Sequence, residues 1–345
     1  MRVLVAMSGG VDSSVAAALL LEAGHDVTGA TMKLWGGASD SGCCSVADVD
    51  DARRVAQQLA IDHYTFGFAD DFEADVVEPY VAAHAAGRTP NPCIECNRHL
   101  KFDRFLRRAD ALGFDAIATG HHARSADGDG RWHLRRGADR AKDQSYVLHM
   151  LGQDVLSRTL FPVGELAKAD VRARAAVLGL RTATKPDSQD VCFITATGGR
   201  RAFLESRLAL MPGRVVDEDG AVVGAVPAVQ LVTIGQRRGL GLPGGGAPRF
   251  ATAVDVRAGI VTVGRAEDLL VGEVAIAGPT WVDEPVSGRL EVQVSAHGAA
   301  HPAEVAPGDG DRLVVRFDEP IRRVAPGQSV VLYRADDVLG GGLAA

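Results

Sequence analysis

Short apolar runs alternate with amphipathic stretches along the first part of the chain: Val3 to Met7, Ser13 to Ala23 closed by Gly24, Val27 to Leu34, then Val46 to Leu59. In the last of these Val46, Val49, Ala52, Val55, Ala56 and Leu59 recur at helical spacing, and His63 to Phe66 follows as another strand candidate. The order is βαβα. Phe114 to Thr119 adds one more β-like run before Gly120, which predicts an α/β fold with a parallel, doubly wound sheet over roughly residues 1 to 195. From about residue 212 the texture changes to short β-like pieces punctuated by Gly and Pro: Arg214 to Asp217, Ala221 to Val226, Gly259 to Val263, Leu290 to Val294, Leu313 to Phe317 and Ser329 to Tyr333. These predict β-rich appendages, with a boundary near 265 to 275. Gly239 to Pro248, with five glycines and two prolines, reads as a mobile loop or hinge.

Composition narrows the class. At 345 residues, 46% apolar and 23% charged, the chain can build two or three cores, which excludes disorder, collagen and a small disulfide scaffold. The longest uncharged apolar candidate, Val15 to Leu21, stops at Glu22, well short of the roughly 18 residues a membrane span needs. Met1 to Met7 is too short for a secretory core and runs directly into Ser8-Gly9-Gly10, so it reads as a mature N-terminus. An odd count of five cysteines fits a reducing compartment, the cytoplasm. The net charge of -7 argues against a generic nucleic-acid binder, but residues 88 to 142 carry 12 Lys and Arg against 7 Asp and Glu. A basic surface between acidic ends can hold a polyanion, and solvated helix faces explain the same count.

Ser8-Gly9-Gly10-Val11-Asp12-Ser13-Ser14 follows an apolar strand and opens a helix, so consecutive N–H groups and the helix dipole face any anion placed there. The loop lacks the ending of a Walker A loop and the G-x-G-x-x-G spacing of a dinucleotide fold. A tight turn capped by Asp12 or Ser13 accounts for any two of these residues, but poorly for all seven. Asp12 beside phosphates makes sense chiefly as a Mg²⁺ partner, because an unpaired carboxylate repels the ligand. The segment resembles the PP-loop of ATP pyrophosphatases, which cleave between the α and β phosphates and adenylate an oxygen.

Cys93-Ile94-Glu95-Cys96 lies just after Pro90 and Pro92 and just before a stretch with helical spacing at Leu100, Phe102, Phe105 and Leu106. This places Cys96 at a helix start, where the dipole, Arg98 and Lys101 favour the thiolate. Cys192 lies in Lys185 to Ile194, a polar run turning apolar, where a small buried hydrophobe is the plainer role. A closed zinc site needs four ligands, and no second C-x-x-C or spaced His pair supplies them. A thioredoxin-type motif follows a strand, whereas this one follows a Pro-rich loop. Cys43-Cys44 receives no role.

The glycine loop, Cys96 and Cys192 occur together with Thr119-Gly120-His121-His122, Lys142-Asp143-Gln144-Ser145-Tyr146, Phe161 to Leu166, Thr233 to Leu240, and Phe317-Asp318-Glu319-Pro320 followed by Pro326-Gly327-Gln328-Ser329. Taken in this order, the set closely resembles the bacterial tRNA-specific 2-thiouridylases, nearly end to end. The resemblance implies three parts: a PP-loop (adenine nucleotide α-hydrolase-like) catalytic domain over residues 1–197, a small tRNA-binding domain over 198–268 and a C-terminal β-barrel over 269–345. It implies a cytoplasmic monomer that thiolates the wobble uridine of tRNA-Lys, tRNA-Glu and tRNA-Gln, using ATP, Mg²⁺ and a persulfide donor such as a cysteine desulfurase or sulfur-relay protein.

By the same resemblance Ala6, Met7, Ser8, Gly9, Gly10, Val11, Asp12 and Ser13 bind ATP, and Met32 and Gly120 surround the adenosine. His121, Lys142, Asp143, Gln144 and Gln328 face tRNA, while Asn91, Pro92 and Cys93 line the flipped base. Cys192 carries a persulfide and Cys96 is the nucleophile that attacks it, leaving a Cys96 to Cys192 disulfide. The chain departs from the family at Cys93, where many members have an Asp proposed to act as a base. Three thiolates with an open position also suit an iron-sulfur cluster, the mechanistic alternative. The family's Arg-aromatic pair in the barrel is His297-Gly298 here, and no contact is carried over to it. Two other functions remain: another PP-loop ligase or amidotransferase, which leaves the cysteines idle, and a nucleotide-binding redox or iron-sulfur sensor, which releases no pyrophosphate.

Overall fold

The computed structural model describes residues 1–34, 45–187, 191–195, 198–244 and 246–345, with the side chains of Cys192 and Thr195 outside that set. Near the N-terminus the alternating runs become β1 (Arg2–Ala6), α1 (Val11–Glu22), β2 (Asp26–Lys33), α2 (Val46–Gln58), β3 (His63–Gly67) and, later, β4 (Ala116–Ala118). Helix α1 buries Val11, Val15, Leu20 and the small Ser13, Ser14, Ala16, Ala17 and Ala18. Its small residues let it sit close on the sheet. Helix α2 presents only Ala52, Val55 and Ala56 to the core and starts with a reciprocal cap between Ser45 and Asp48.

Two further strands, β5 (Ala123–Gly128) and β6 (Arg131–Arg136), form a hairpin, and β7 (Thr159–Leu160) closes the first sheet. That sheet is parallel throughout, in the order β3-β2-β1-β4-β7. The chain runs from β1 outward to β3 on one side and resumes with β4 on the other, so the order reverses between β1 and β4. A crevice opens at the carboxyl ends of strands flanking such a reversal. The Ser8 loop leaves β1 there and Thr119-Gly120-His121 leaves β4, which brings both motifs to one edge.

Four strands, Gly213–Val216, Val222–Val226, Phe250–Asp255 and Ile260–Gly264, make the central sheet around Val215, Val229, Leu240 and Val261. Leu240, inside the run read as a mobile loop, is 2% exposed in that core. The run is therefore anchored at its start. The last six strands close a barrel, because Leu270–Trp281 pairs with both Arg312–Arg322 and Asp337–Ala344. The β5–β6 hairpin, absent from the expected elements, pairs onto this barrel through Leu134 opposite Val338 and Arg135 opposite Asp337. No helix of the described residues is long and apolar enough to cross a membrane.

Candidate active site

Gly9 turns the loop with φ +71°, and a Cβ there would overlap the Asp48 carbonyl at the start of α2. Gly10 caps α1 in extended conformation with no side-chain cap, so the first-turn N–H groups are not consumed by Asp12 or Ser13. Instead the Ser13 and Ser14 hydroxyls donate back to the Gly10 carbonyl at 3.2 and 2.7 Å. The Ser8 N–H donates to Ser13 Oγ at 3.2 Å, so the turn is shaped by serines while the first-turn N–H groups of α1 stay available for an anion. Behind it Lys185 Nζ donates to the Gly9 carbonyl at 2.9 Å and to Asp48 and Asp51 at 2.6 and 2.8 Å. Burial alone would raise the Asp48 carboxyl, but hydrogen bonds from Lys185 and Ser45 hold it below the usual range.

In front of the loop lies an ionic chain that no local sequence pattern announces. Asp12 accepts from Lys168 Nζ at 2.7 and 2.6 Å and from His122 Nε2 at 3.1 Å. Lys168 also reaches Asp187 at 3.0 Å, and Asp187 in turn accepts from Lys142 at 2.8 Å and Arg172 at 2.5 Å. Burial pushes the Asp12 and Asp187 carboxyls up, yet these partners hold both below the usual carboxylate range, Asp187 well below. Asp12 thus has protein partners of its own, Lys168 and His122, which relieve its repulsion of an anion without a metal. Among the described residues no group of three His, Cys, Asp or Glu side chains converges to hold a metal. The described residues by themselves do not form a protein-held Mg²⁺ site.

Asn91 caps the cysteine helix by accepting from the Cys93 N–H at 3.0 Å, with Pro92 as the first helical residue. Cys93, not Cys96, therefore occupies the first turn. Cys96 sits a turn later, at the start of the wide π-helical segment Cys96–Arg104. The apolar spacing marks a helix start one turn later than the Asn-Pro cap, which is what sets it. Cys192 opens the short helix Cys192–Thr195, and its side chain lies outside the described residues, as do Cys43 and Cys44. The next residue, Phe193, is buried edge-on against Phe72, Tyr80 and Phe203.

These parts enclose one cavity of about 550 Å³, a size suited to a small ligand. Ala6 to Ser8, Gly10 to Ser13, Met32 and Gly120 line it, together with Pro92, Cys93, Cys96, Phe193, His121, Lys142 to Gln144, Lys168 and Asp187. Gly9 lies behind the wall, and Asn91 acts through its cap. Gly120 has no room for a Cβ, which would stand 2.6 Å from Ser13 N. His121 is 7% exposed, with Nδ1 2.7 Å from Thr119 Oγ1. Burial, reinforced by Lys101 and His122, pushes its pKa well below 6.5.

Asp143 spends its oxygens inside the protein, on Arg136, Gly137 N and Ser145, and Gln144 Oε1 accepts from His122 N. Gln328 is not part of the wall: its amide donates to the Thr89 carbonyl at 2.9 Å, clipping the barrel to the loop before Asn91. His297 of the barrel, to which no contact was assigned, lines the cavity.

At least half of the twelve cations in the basic stretch 88–142 are paired with carboxylates that mostly lie outside it. Arg124 and Arg140 pair with Asp336, Arg131 with Asp283 and Glu284, Arg135 with Asp337, Arg136 with Asp143, and Arg104 with Asp71 and Asp75. Counting charge along the chain misses partners that a distant barrel supplies.

Three family models match in sequence: the tRNA methyl transferase HUP domain over residues 1–196, the tRNA methyl transferase PRC-barrel domain over 201–265 and the aminomethyltransferase beta-barrel domain over 271–344. The tRNA-specific 2-thiouridylase MnmA of Mycobacteroides abscessus is 48% identical, covering 99% of this chain and 98% of its own. The chain belongs to the tRNA-specific 2-thiouridylase family. Similar 2-thiouridylases from Mycolicibacterium smegmatis, 49% identical over 97% of this chain and 96% of its own, and Salinispora tropica, 50% over 97% and 95%, match as completely. Because coverage is nearly full on both sides, the α/β domain, the central sheet and the barrel are one 2-thiouridylase architecture rather than unrelated parts joined in this chain.

Proposed function

We propose that this chain is an ATP-dependent tRNA-uridine 2-sulfurtransferase that makes 2-thiouridine at the wobble position of tRNA-Lys, tRNA-Glu and tRNA-Gln. The supporting observation is that an uncapped glycine loop, Cys93 and Cys96 line one cavity, with the Cys192 segment anchored beside it through Phe193. Residues 1–197, 198–268 and 269–345 act as catalytic domain, central tRNA-binding domain and barrel of a cytoplasmic monomer.

In this reading Ala6 to Ser13 hold the phosphates of ATP, Met32 and Gly120 bound the adenosine, and Mg²⁺ enters with ATP as its counter-ion. The C2 oxygen of uridine attacks the α-phosphorus and pyrophosphate leaves, so a poor leaving group becomes AMP. The N–H groups of the loop stabilise charge on the departing phosphates. Flipping the base from a single-stranded loop costs less than opening a duplex, and Pro92 and Cys93 line its pocket. A persulfide on Cys192, loaded by a cysteine desulfurase or relay protein, attacks C2 through its terminal sulfur and AMP departs. The Cys96 thiolate then attacks Cys192 Sγ. This releases 2-thiouridine and leaves a Cys96 to Cys192 disulfide, which an external thiol reductant returns to two thiols. Lys142 and His121 meet tRNA directly; Asp143, Gln144, Asn91 and Gln328 hold the loops that do.

Incubation of the full chain with tRNA, ATP, Mg²⁺ and a persulfide donor, then nucleoside digestion and mass analysis, is expected to reveal 2-thiouridine. Bound tRNA with neither thiolation nor pyrophosphate release refutes the reading. Cys192→Ser is expected to abolish thiolation while pyrophosphate release persists. Full turnover by anaerobic, iron-free protein eliminates the iron-sulfur alternative, in which Cys93, Cys96 and Cys192 hold a cluster.

A further inference from the structure

Lys168 is the cavity's most buried cation, and none of the motifs assigned it a role. It is the first residue of the helix Lys168–Val177, where its N–H donates to Asp139 Oδ2 at 3.0 Å. Its side chain is only 11% exposed. A lysine is seldom buried this far, and removing two charges from water is a weak way to stabilise a fold. The ammonium instead lies in the wall of the same cavity as Gly10 and Ser13, held at 2.6–2.7 Å by both Asp12 oxygens and at 3.0 Å by Asp187. Two anchors from different parts of the chain fix its position before any ligand arrives.

Position distinguishes it from the loop. The N–H groups of α1 face the phosphates from one end. Lys168 shares Asp12 with His122, which follows the Gly120 turn, and shares Asp187 with Lys142. It thus stands between the loop and the Lys142 wall, the side that the reading above gives to tRNA. Around it Asp12, Asp139 and Asp187 face Lys168, Lys142 and Arg172, three charges of each sign, so the cluster carries no net negative charge to repel an anion.

We propose that Lys168 is the cation that meets the α-phosphate of ATP as the acceptor oxygen attacks it, with Asp12 and Asp187 as its positioning residues. The inference rests on the adenylation reading above. Lys168 forms no bond and gives up no proton. Its fixed charge lowers the energy of negative charge building on the α-phosphoryl oxygens, and Asp12 is the pairing that keeps it aimed while the site is empty.

The test uses the full chain with Lys168→Met and Lys168→Arg, measuring pyrophosphate release over a range of ATP at saturating tRNA, tRNA affinity and the thermal transition. Lys168→Met is expected to lower kcat by about 10²–10³, the range for losing one transition-state donor. KM for ATP and the tRNA Kd should change far less. Lys168→Arg should recover a measurable part of kcat. Asp12→Asn should cost only about tenfold, as a positioning residue, because the cation remains.

If burying Asp12 alone unfolds Lys168→Met, the double variant Asp12→Asn/Lys168→Met leaves no unpaired charge and should fold. Its kcat should match the Lys168 loss rather than the Asp12 loss. A folded Lys168→Met, or folded double variant, with kcat within about threefold of wild type or Asp12→Asn overturns the inference. Equal losses in Lys168→Met and Lys168→Arg tracking a lowered thermal transition also overturn it, in favour of a structural role. Wild type that releases no pyrophosphate sinks the adenylation reading itself, a distinct outcome.

Discussion

Replacing Gly9 by alanine brings two penalties that the structure separates. The backbone there has φ +71°, a left-handed conformation that costs an L-residue roughly 1–2 kcal/mol. The new methyl would overlap the Asp48 carbonyl, approaching its carbon to 2.9 Å, and overpacking against backbone costs typically about 1–3 kcal/mol. Asp48 cannot yield easily, because Ser45 caps it and Lys185 ties it to the Gly9 carbonyl. The sum, roughly 2–5 kcal/mol, corresponds to a fall on the order of 10 °C in the transition of the N-terminal domain. If the loop moves to relieve the clash, its N–H groups leave their positions and ATP affinity drops at least about tenfold, which is roughly 1.4 kcal/mol. Gly10→Ala is the control. Its Cβ meets only the Ser8 hydroxyl, at 3.3 Å, which can rotate, so its stability should stay within about 1 kcal/mol of wild type. Differential scanning fluorimetry and equilibrium dialysis with ATP measure both quantities. A Gly9→Ala protein that melts within about 2 °C of wild type and binds ATP unchanged would refute the dependence of the loop on this contact.

Burial holds His149 at a pKa of about 3 and His84 at about 4, each with help from a nearby arginine, against an ordinary 6.5. The unfolded chain therefore binds protons that the folded one refuses, and stability falls as pH drops below 6.5, by up to about 1.4 kcal/mol per pH unit for each histidine. Urea midpoints between pH ~7 and ~5 should show it, and His149→Leu should flatten the slope. Lys185→Met removes the cation that Asp48 and Asp51 share and leaves only Arg181 on Asp51, a loss of about 1–3 kcal/mol readable by urea unfolding. Asp143→Ala strands Arg136 in a pair whose side chains are 13% and 7% exposed, at about 3–5 kcal/mol. The thermal transition should fall, and tRNA affinity measured well below it should change less than for Lys142→Ala.

The βαβα order was legible because a parallel sheet buried on both faces writes itself as apolar runs. Val3 to Met7 and Phe114 to Thr119 lie within a residue or two of β1 and β4. The barrel's last strand was not legible. Asp337–Ala344 carries Gly340, Gly341 and Gly342 in a row and reads as coil, yet a Cβ at Gly341 would stand 2.5 Å from Val330 O and one at Gly342 2.6 Å from Ile276 Cγ2. Close approach of neighbouring strands, not flexibility, requires those glycines. In the site, the loop and both C-x-x-C cysteines were visible as local patterns. The Asp12–Lys168 pair was not, since it joins residues 156 positions apart and no local pattern marks either end.

The β5–β6 hairpin changes what the three-part architecture means. One strand of the hairpin is hydrogen-bonded into the barrel's sheet at Leu134 and Arg135, and the chain then runs directly into Lys142, Asp143 and Gln144 in the cavity wall. The barrel is therefore not a detachable module. A graft or truncation that takes residues 270–345 without 123–136 leaves one bare sheet edge on each piece and cuts the frame that sets the cavity wall. The structural unit of the C-terminal part includes a segment coded more than a hundred residues upstream.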